Sequence, residues 1–407
     1  MDEFLKAVKI SEKVYWVGAI DWNMRYFHGY TTTRGTTYNA YLILDEKITL
    51  IDTVKKPFLN HLIARIKSVI DLEDIDYIIS NHAELDHSGC IPDMIELCKP
   101  EAVYASVMGV KALNDHFSLP MDLTPVKTGD RVSLGKDSLY FVETKLIHWP
   151  DSMFSFLENE QILFSQDGFG CHYATNNMFM DQCPSDETLW EQEKYFANIL
   201  MLYGPKIKQL VAQMPEVGLP LEKIKMIAPD HGPIWRENIS FIVEKYLEWS
   251  DMPLYNRAVV VYDTMWGATE KMAYSICEGL RDSGVEAIPI SLQNSNRSHI
   301  ATQVLLSGAV LFGCSTMNNN MMPSMADILC YIKGLKPKNR IGTAFGSFGW
   351  SGEAVKQMRA EMTEAGFELI GEGLRNKYAL KLEGGEECYK LGQAVAEELK
   401  NRIAGQG

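Results

Sequence analysis

Four apolar segments in the first 231 residues each run into a short polar turn, and those turns carry seven potential metal ligands: His82, Glu84, Asp86, His87, His148, Asp167 and His231. Asp76 to Ser80 reads as a short buried strand that stops at Asn81 and delivers His82-Ala83-Glu84-Leu85-Asp86-His87. Leu139 to Ile147 is a second β-rich run, ending in His148-Trp149-Pro150-Asp151. Gln161 to Gln166 is a third, ending in Asp167, and Ile224 to Ala228 a fourth, ending in Pro229-Asp230-His231. Ligand candidates that follow strands and precede Gly or Pro lie where a layered α/β domain gathers its site loops. The set is too large for one metal and fits two.

A chain of 407 residues, 46% hydrophobic and 23% charged, suggests two or three domains with large cores. Its formal net charge of -14 argues against a nucleic-acid partner, which calls for a basic face. The eight cysteines form no Cys-x-x-Cys pair, so neither a zinc ribbon nor an iron-sulfur or rubredoxin-type centre is expected, and the thiols read as reduced and mostly buried. No segment reads as a signal peptide or a membrane span, which sets a cytoplasmic location as the expectation.

The texture changes near residues 250 to 256. Before it, short strands alternate with irregular connections; after it, strands and helices alternate regularly. Strands are expected at 258–262, 287–290, 309–312, 340–345 and 368–370, and helices at 270–283, 325–332, 353–365 and 387–403. This pattern predicts an α/β chain with a first domain over 1–252 and a doubly wound parallel sheet of roughly five strands over 256–407.

Ligands of doubly wound sheets bind beyond the carboxyl ends of the strands. Three loops meet that description. The first is Thr264-Met265-Trp266-Gly267-Ala268-Thr269, whose hydroxyls and helix N-terminus suit a phosphate. The second, Ser315-Thr316-Met317-Asn318-Asn319-Asn320, and the third, Gly346-Ser347-Phe348-Gly349-Trp350-Ser351-Gly352, offer amides and an aromatic face to a planar ring. No Gly-x-Gly-x-x-Gly or Walker loop is present, which points away from a dinucleotide. The loops are similar to those of the flavodoxin family, and the resemblance implies FMN. That family's first loop usually carries a hydroxyl where Trp266 stands, so phosphate binding here would lean on backbone N-H groups, Thr264 and Thr269.

His82-x-Glu84-x-Asp86-His87, followed in order by a His, an Asp and a His, resembles the metallo-β-lactamase superfamily. Hydrolases of that superfamily carry a histidine where Glu84 stands, and the added carboxylate shifts the expected metal from zinc toward iron or manganese. Zinc cannot change oxidation state and iron can, so an adjoining flavin domain favours iron. The two domains in this order, with Gly35-Thr-Thr-Tyr-Asn-Ala-Tyr41 and Tyr262-Asp-Thr-Met-Trp266, resemble the flavodiiron (A-type flavoprotein) family over nearly the whole chain. The implied fold is an αββα sandwich followed by a flavodoxin-like sheet.

The resemblance implies that His82, Glu84 and His148 hold one iron, that Asp86, His87 and His231 hold the other, and that Asp167 bridges them. His28, His172 and Tyr195 are expected to line the pocket without touching metal. Reduced FMN would pass electrons to the di-iron site, reducing dioxygen to water, with nitric oxide reduction to nitrous oxide as the alternative. The implied donor is a separate carrier, rubredoxin or, as in methanogen relatives, the reduced deazaflavin coenzyme. The implied assembly is a head-to-tail homodimer or a dimer of such dimers. Two other readings stay open: a metal-dependent hydrolase with a regulatory flavodoxin-like domain, and an electron carrier whose first domain only docks.

Overall fold

Alternate side chains of the strand Tyr77–Ser80 enter two different cores. Ile78 packs among Leu42, Leu62, Ile91 and Val103, whereas Ile79 packs among Ile43, Ile51, Phe141, Leu157 and Phe164. Successive side chains of a strand point to opposite faces, so a strand apolar on both must be covered on both. In the computed structural model, which describes residues 4–405, helices cover one face of this sheet and a second sheet covers the other. The chain divides into two compact units. The first takes residues through Phe27, then Thr32–Tyr195 and Tyr203–Leu247; the second takes His28–Thr31, Phe196–Leu202 and the chain from Glu248.

In the first unit, the seven-stranded sheet runs Val8–Lys9, Val14–Trp16, Tyr41–Ile43, Thr49–Ile51, Tyr77–Ser80, Ala102–Ser106, Thr124–Val126. It is antiparallel at the Val8 end and parallel from Thr49–Ile51 onward. The five-stranded sheet runs Arg131–Ser133, Ser138–Glu143, Met153–Leu157, Ile162–Phe164, Met226–Ala228, with only the last pair parallel. This is the expected αββα sandwich. The β-rich run from Leu139 to Ile147 is shorter than its composition suggests. The strand ends at Glu143, and hydrogen bonds from Thr144 N to Ser152 O and from Ile147 N to Thr144 O fold residues 144–152 into a loop that carries His148.

The second unit holds an all-parallel sheet ordered Glu286–Ser291, Arg257–Tyr262, Ala309–Gly313, Ile341–Phe348, with Glu368–Leu369 and Leu374–Lys377 both beside the last strand. The order 2-1-3-4-5 is flavodoxin-like and places its switch point between Arg257–Tyr262 and Ala309–Gly313. Two elements fall outside the sequence expectation. Leu374-Arg-Asn-Lys377 is a polar edge strand with no apolar run to mark it. The helix Arg297–Leu305 buries Ser298, Thr302 and Gln303 along with Ile300, Ala301, Val304 and Leu305, so its buried positions run nearly all round and show no apolar stripe.

Two features hold this unit at close quarters. The helices Ala268–Asp282 and Leu382–Ala404 touch backbone to backbone at glycines: a Cβ on Gly279 would lie 2.0 Å from the Tyr389 carbonyl oxygen, and one on Gly392 2.2 Å from that of Ile276. Arg340, 1% exposed, spreads its guanidinium over the carbonyls of Val304, Leu305, Met252 and Pro253. It thereby caps the end of the helix Arg297–Leu305 and fastens the chain just before the first strand of the sheet. Burial lowers its pKa to about 10, still charged at neutral pH.

The same substitution should therefore act with opposite sign at two glycines. Gly279→Ala overpacks the helix pair and should cost about 1–3 kcal/mol. At Gly334, in the helix Pro323–Leu335, a Cβ meets nothing within 4 Å. There Ala should be neutral or stabilising by up to about 1 kcal/mol through helix propensity. Urea titration followed by circular dichroism measures both, and a Gly279→Ala midpoint at or above that of the parent would contradict the packing.

Candidate metal centre and flavin cavity

The seven ligand candidates of the first unit meet at one end of the sandwich in two groups. His82, Glu84, His148 and Asp167 offer atoms within 4.8 Å of one another, as do Asp86, His87 and His231. The strand Tyr77–Ser80 ends at Asn81, whose amide and side chain both donate to Asp52, at 2.7 and 2.8 Å. That clamp sets His82 and Glu84, and the short helix Leu85–Ser88 then carries Asp86 and His87. Asp167 and His231 follow the paired strands Ile162–Phe164 and Met226–Ala228.

Asp167 divides its carboxylate between the groups. Its Oδ2 lies 3.5 Å from His82 Nε2 and 2.8 Å from His148 Nε2, while Oδ1 lies 3.3 Å from His87 Nε2 and 3.5 Å from His231 Nε2. Glu84 Oε2 closes the first group at 3.4 Å from His82 and 3.3 Å from His148; Asp86 closes the second at 3.4 Å from His87 and 3.3 Å from His231. His82 Nε2, both Asp86 oxygens, His87 Nε2 and Asp167 Oδ1 are buried without a hydrogen-bond partner. Leaving such atoms unsatisfied costs about 1–3 kcal/mol each, more for charged groups. Ligands about 2.0–2.2 Å from a shared ion stand about 3–3.5 Å apart, so the spacings other than the 2.8 Å hydrogen bond between His148 and Asp167 suit two cations better than direct hydrogen bonding. The donor set of four imidazoles and three carboxylates fits iron.

The electrostatics agree. Burial works against charge on His87, yet Asp86, Asp167 and Asp230 outweigh it and hold it up at about 10. Glu84 and Asp86 are held down at about 2, because His148 and His82 in the first case, and His87 and His231 in the second, overcome the same burial. His82 is raised well above its ordinary range, with Asp151 and Glu84 prevailing over burial, and Asp167 is lowered well below its own, with His87 and His148 prevailing. Without cations, protons on His82, His87 and His148 offset the carboxylates.

His172 and Tyr195, both 1% exposed, stand beside this group: the His172 ring centroid is 4.5 Å from that of His231 and 5.2 Å from that of Tyr195. Thr36 Oγ1 lies 2.8 Å from His172 Nδ1, and His231 Nδ1 donates to the Thr37 carbonyl at 2.6 Å. His28, expected to line the pocket as well, is exposed. Sequence reasoning did not single out Asp52, Asp151 and Asp230, which back the ligands. Asp151 and Asp230 belong to quoted motifs, but a polar residue beside a ligand reads like any loop residue.

In the second unit, a cavity of about 400 Å3 lies at the carboxyl ends of the strands, lined by Met265, Trp266, Ala268, Ser315, Thr316, Ser347, Phe348, Gly349, Trp350, Tyr378 and Ala379. All three expected loops contribute. Trp266 and Trp350, 93% and 80% exposed, stand as bare aromatic walls that a planar ring would cover. Thr264 Oγ1 accepts from Gly267 N at 3.1 Å, and the hydroxyls of Thr269, Ser315 and Ser347 lie within 3.3 Å of one another at the start of the helix Ala268–Asp282. Met317 to Asn320 are not part of the lining; they close a tight turn with Asn318 and Asn319 at φ 52° and 59°. Tyr378 and Ala379 follow the unanticipated edge strand, which is why the sequence did not point to them.

The sign of each shift sets the pH profile of the metal-free protein. His87, raised from 6.5 to about 10, contributes stability that is complete below pH 6.5 and lost as pH rises toward 10. Glu84 and Asp86, lowered from 4.5 and 3.8, contribute stability present above those values and lost as pH falls toward 2. Chelated protein should resist heat best between pH 4.5 and 6.5, the two ordinary values, and weaken on the alkaline side. Protein loaded with ferrous ion should hold its stability there, since metal takes the place of the protons. A metal-free melting temperature that stays level from pH 6.5 to 10 would contradict this arrangement.

Comparison with known proteins places this geometry. Residues 36–232 match the ODP family beta lactamase profile, and residues 260–392 match flavodoxin. The chain is 42% identical to the nitric oxide reductase of Moorella thermoacetica, over 96% of this chain and 98% of that one. It is 41% identical to the rubredoxin-oxygen oxidoreductase of Megalodesulfovibrio gigas, over 98% and 100%. Among solved structures it is similar to the rubredoxin oxygen:oxidoreductase from Desulfovibrio gigas, with a TM-score of 0.95, 41% identity and coverage of 98% and 100%. The flavodiiron protein from Giardia intestinalis matches with a TM-score of 0.93 at 32% identity, over 99% and 98%. The chain belongs to the flavodiiron proteins, oxidoreductases that join a lactamase-like domain with a non-haem di-iron site to a flavodoxin domain that binds FMN.

Proposed function

We propose that this chain reduces dioxygen to water at its di-iron centre, with electrons delivered through FMN from a separate reduced carrier. The observation that carries the proposal is the division of Asp167 between two groups of buried, unsatisfied donors. We assign His82, Glu84 and His148 to one iron, Asp86, His87 and His231 to the other, and Asp167 to both. When bound, FMN and the two ferrous ions supply the electrons, two from reduced flavin and one from each iron, which make the four that dioxygen needs.

The protein's own groups have three tasks. The first is to hold the ligands. His231 is oriented through Nδ1 by the Thr37 carbonyl, and Asn81 and Asp52 fix the loop that leads to His82. The second is to shield the rest of the cluster from bulk water, which Phe27 beside His172 and Trp149 edge-on to His82, each about 5.2 Å away, serve, while Glu84 and His148 keep a small opening. The third is to keep protons on the right atoms. Burial raises the Tyr195 phenol well above its ordinary value, so Oη keeps its proton, and burial lowers His172 well below its own, so its ring stays neutral. A neutral imidazole and a phenol beside the cluster could donate hydrogen bonds to a small substrate without adding charge.

Nitric oxide reduction is the second reading, favoured by the relative from Moorella thermoacetica that bears that name. For the donor we propose a rubredoxin or the reduced deazaflavin coenzyme; the name of the Megalodesulfovibrio gigas relative supports the former. We further propose a head-to-tail homodimer and a cytoplasmic location. Among the described residues no helix is long and apolar enough to cross a membrane.

The test is anaerobic reduction of the iron- and FMN-loaded protein, then separate additions of oxygen and nitric oxide, with each donor compared in turnover. The oxidase reading expects four electrons consumed per dioxygen and no hydrogen peroxide. Asp167→Ala should bring bound iron below two per chain and slow turnover by at least about 100-fold, the upper end of what losing even a supporting partner costs. Two zinc ions per chain with flavin that oxygen does not reoxidise would sink the reading, and faster turnover with nitric oxide would move it to the second.

A further inference from the structure

The histidines of the cluster are held from behind in unlike ways. His231 Nδ1 donates to a neutral carbonyl, that of Thr37. His87 Nδ1 faces Asp230 Oδ2 at 3.4 Å and makes no hydrogen bond. His82 Nδ1 donates to a carboxylate, Asp151 Oδ2, at 3.0 Å. Asp151 is 3% exposed and locked in place: the same oxygen accepts from Ala83 N at 2.6 Å, and its backbone carbonyl accepts from Ser106 Oγ at 2.6 Å. Ser106 Oγ also accepts from Gly109 N, capping the helix Val107–His116, so the carboxylate is fixed to the end of a core strand.

A neutral imidazole presents a lone pair at one nitrogen only, and the partner of the other nitrogen decides which. We propose that Asp151 is a positioning residue for His82: by accepting the hydrogen bond from Nδ1–H it keeps the proton on Nδ1 and turns the Nε2 lone pair toward Glu84 and Asp167, and its charge makes His82 the stronger donor. Its loss then loosens the metal position of His82, Glu84 and His148 and leaves that of Asp86, His87 and His231 alone. No other side chain accepts from His82 Nδ1 among the described residues, and on its other side the Trp149 ring stands 5.2 Å away. Without Asp151 the proton is free to move to Nε2, where it blocks metal. The inference rests on His82 being a ligand, as proposed above.

The test uses the full FMN-bound chain loaded anaerobically with 57Fe(II), read by Mössbauer spectra and by iron release to an excess of chelator. Asp151→Ala should release one of its two irons about 10–100-fold faster than the parent, at an unchanged rate for the other, with only one ferrous doublet altered. Asp151→Asn keeps an acceptor oxygen without charge and should change the same doublet, with a smaller gain in release rate. Parent-like release of both irons in both variants overturns the inference while leaving the ligand assignment standing. Equal acceleration of both irons overturns it too, since Asp151 would then serve the fold and not one histidine. A parent protein that takes up fewer than two irons removes the ligand assignment, and the inference with it.

Discussion

One buried carboxylate organises the first unit. Asp167 is 2% exposed and has an oxygen turned toward each of two imidazole pairs. Charge at that depth cannot be solvated by water, so it persists only where opposite charge is brought within a few ångströms. The opposite charge must come from both sheets. His82 and His87 follow a strand of the seven-stranded sheet, while His148, Asp167 and His231 follow strands of the five-stranded one. The centre therefore exists only when the sandwich is closed. The apolar interface of Ile43, Ile51 and Ile79 with Phe141, Leu157 and Phe164 supplies the free energy that gathers its ionisable groups.

Much of this was legible in the sequence because both signals are strong where they matter. The apolar runs ending at Asn81, Gln166 and Ala228 are strands buried on both faces, and a strand of that kind has no polar positions to blur its ends. Where burial is one-sided or mixed, the text fades. Leu374–Lys377 alternates half-buried with exposed residues at a sheet edge, and Arg297–Leu305 packs hydroxyls and amides inward, so neither shows the period of its structure. The run into His148 misled in the opposite way: Leu146 and Ile147 are apolar, yet Leu146 takes φ 68° in the loop. The supporting carboxylates were invisible for another reason. Asp52 lies 30 residues before His82 and acts through Asn81, a relation that only the parallel register of Thr49–Ile51 with Tyr77–Ser80 creates.

The second unit solves a different problem with the same economy of contacts. A cavity walled by exposed tryptophans needs a scaffold that does not yield, and rigidity comes from places where there is no room to move. Gly279 and Gly392 let two helices meet at their backbones, and Arg340 ties the carbonyls of two distant segments, and that of its neighbour Asn339, to one planar fork. Neither device is apolar, so neither adds to the hydrophobic pattern from which the sheet was read. A glycine at a helix contact and an arginine with no carboxylate look like faults in a sequence until the backbone atoms they serve are in view.

Glu84 connects the fold to the chemistry. In a hydrolase-type arrangement a histidine at this position would leave two dications facing two carboxylates; with Glu84 they face three, and the same pair of ions sits in a site one unit less positive. A less positive site stabilises a metal that loses an electron and binds hard ions better than soft ones, which suits iron and gives zinc no advantage. The added charge has to be held, and Glu84 is the most exposed of the three carboxylates, with its side chain 16% open against 4% for Asp86 and 2% for Asp167. It shares that opening with His148, 15% open, its neighbour at 3.3 Å. Solvent can thus reach the side of the cluster where the extra negative charge lies, while the Asp86 side stays dry. The two halves of a site built from nearly the same ligands therefore sit in different dielectric surroundings, and two chemically identical ions placed there would not be equivalent.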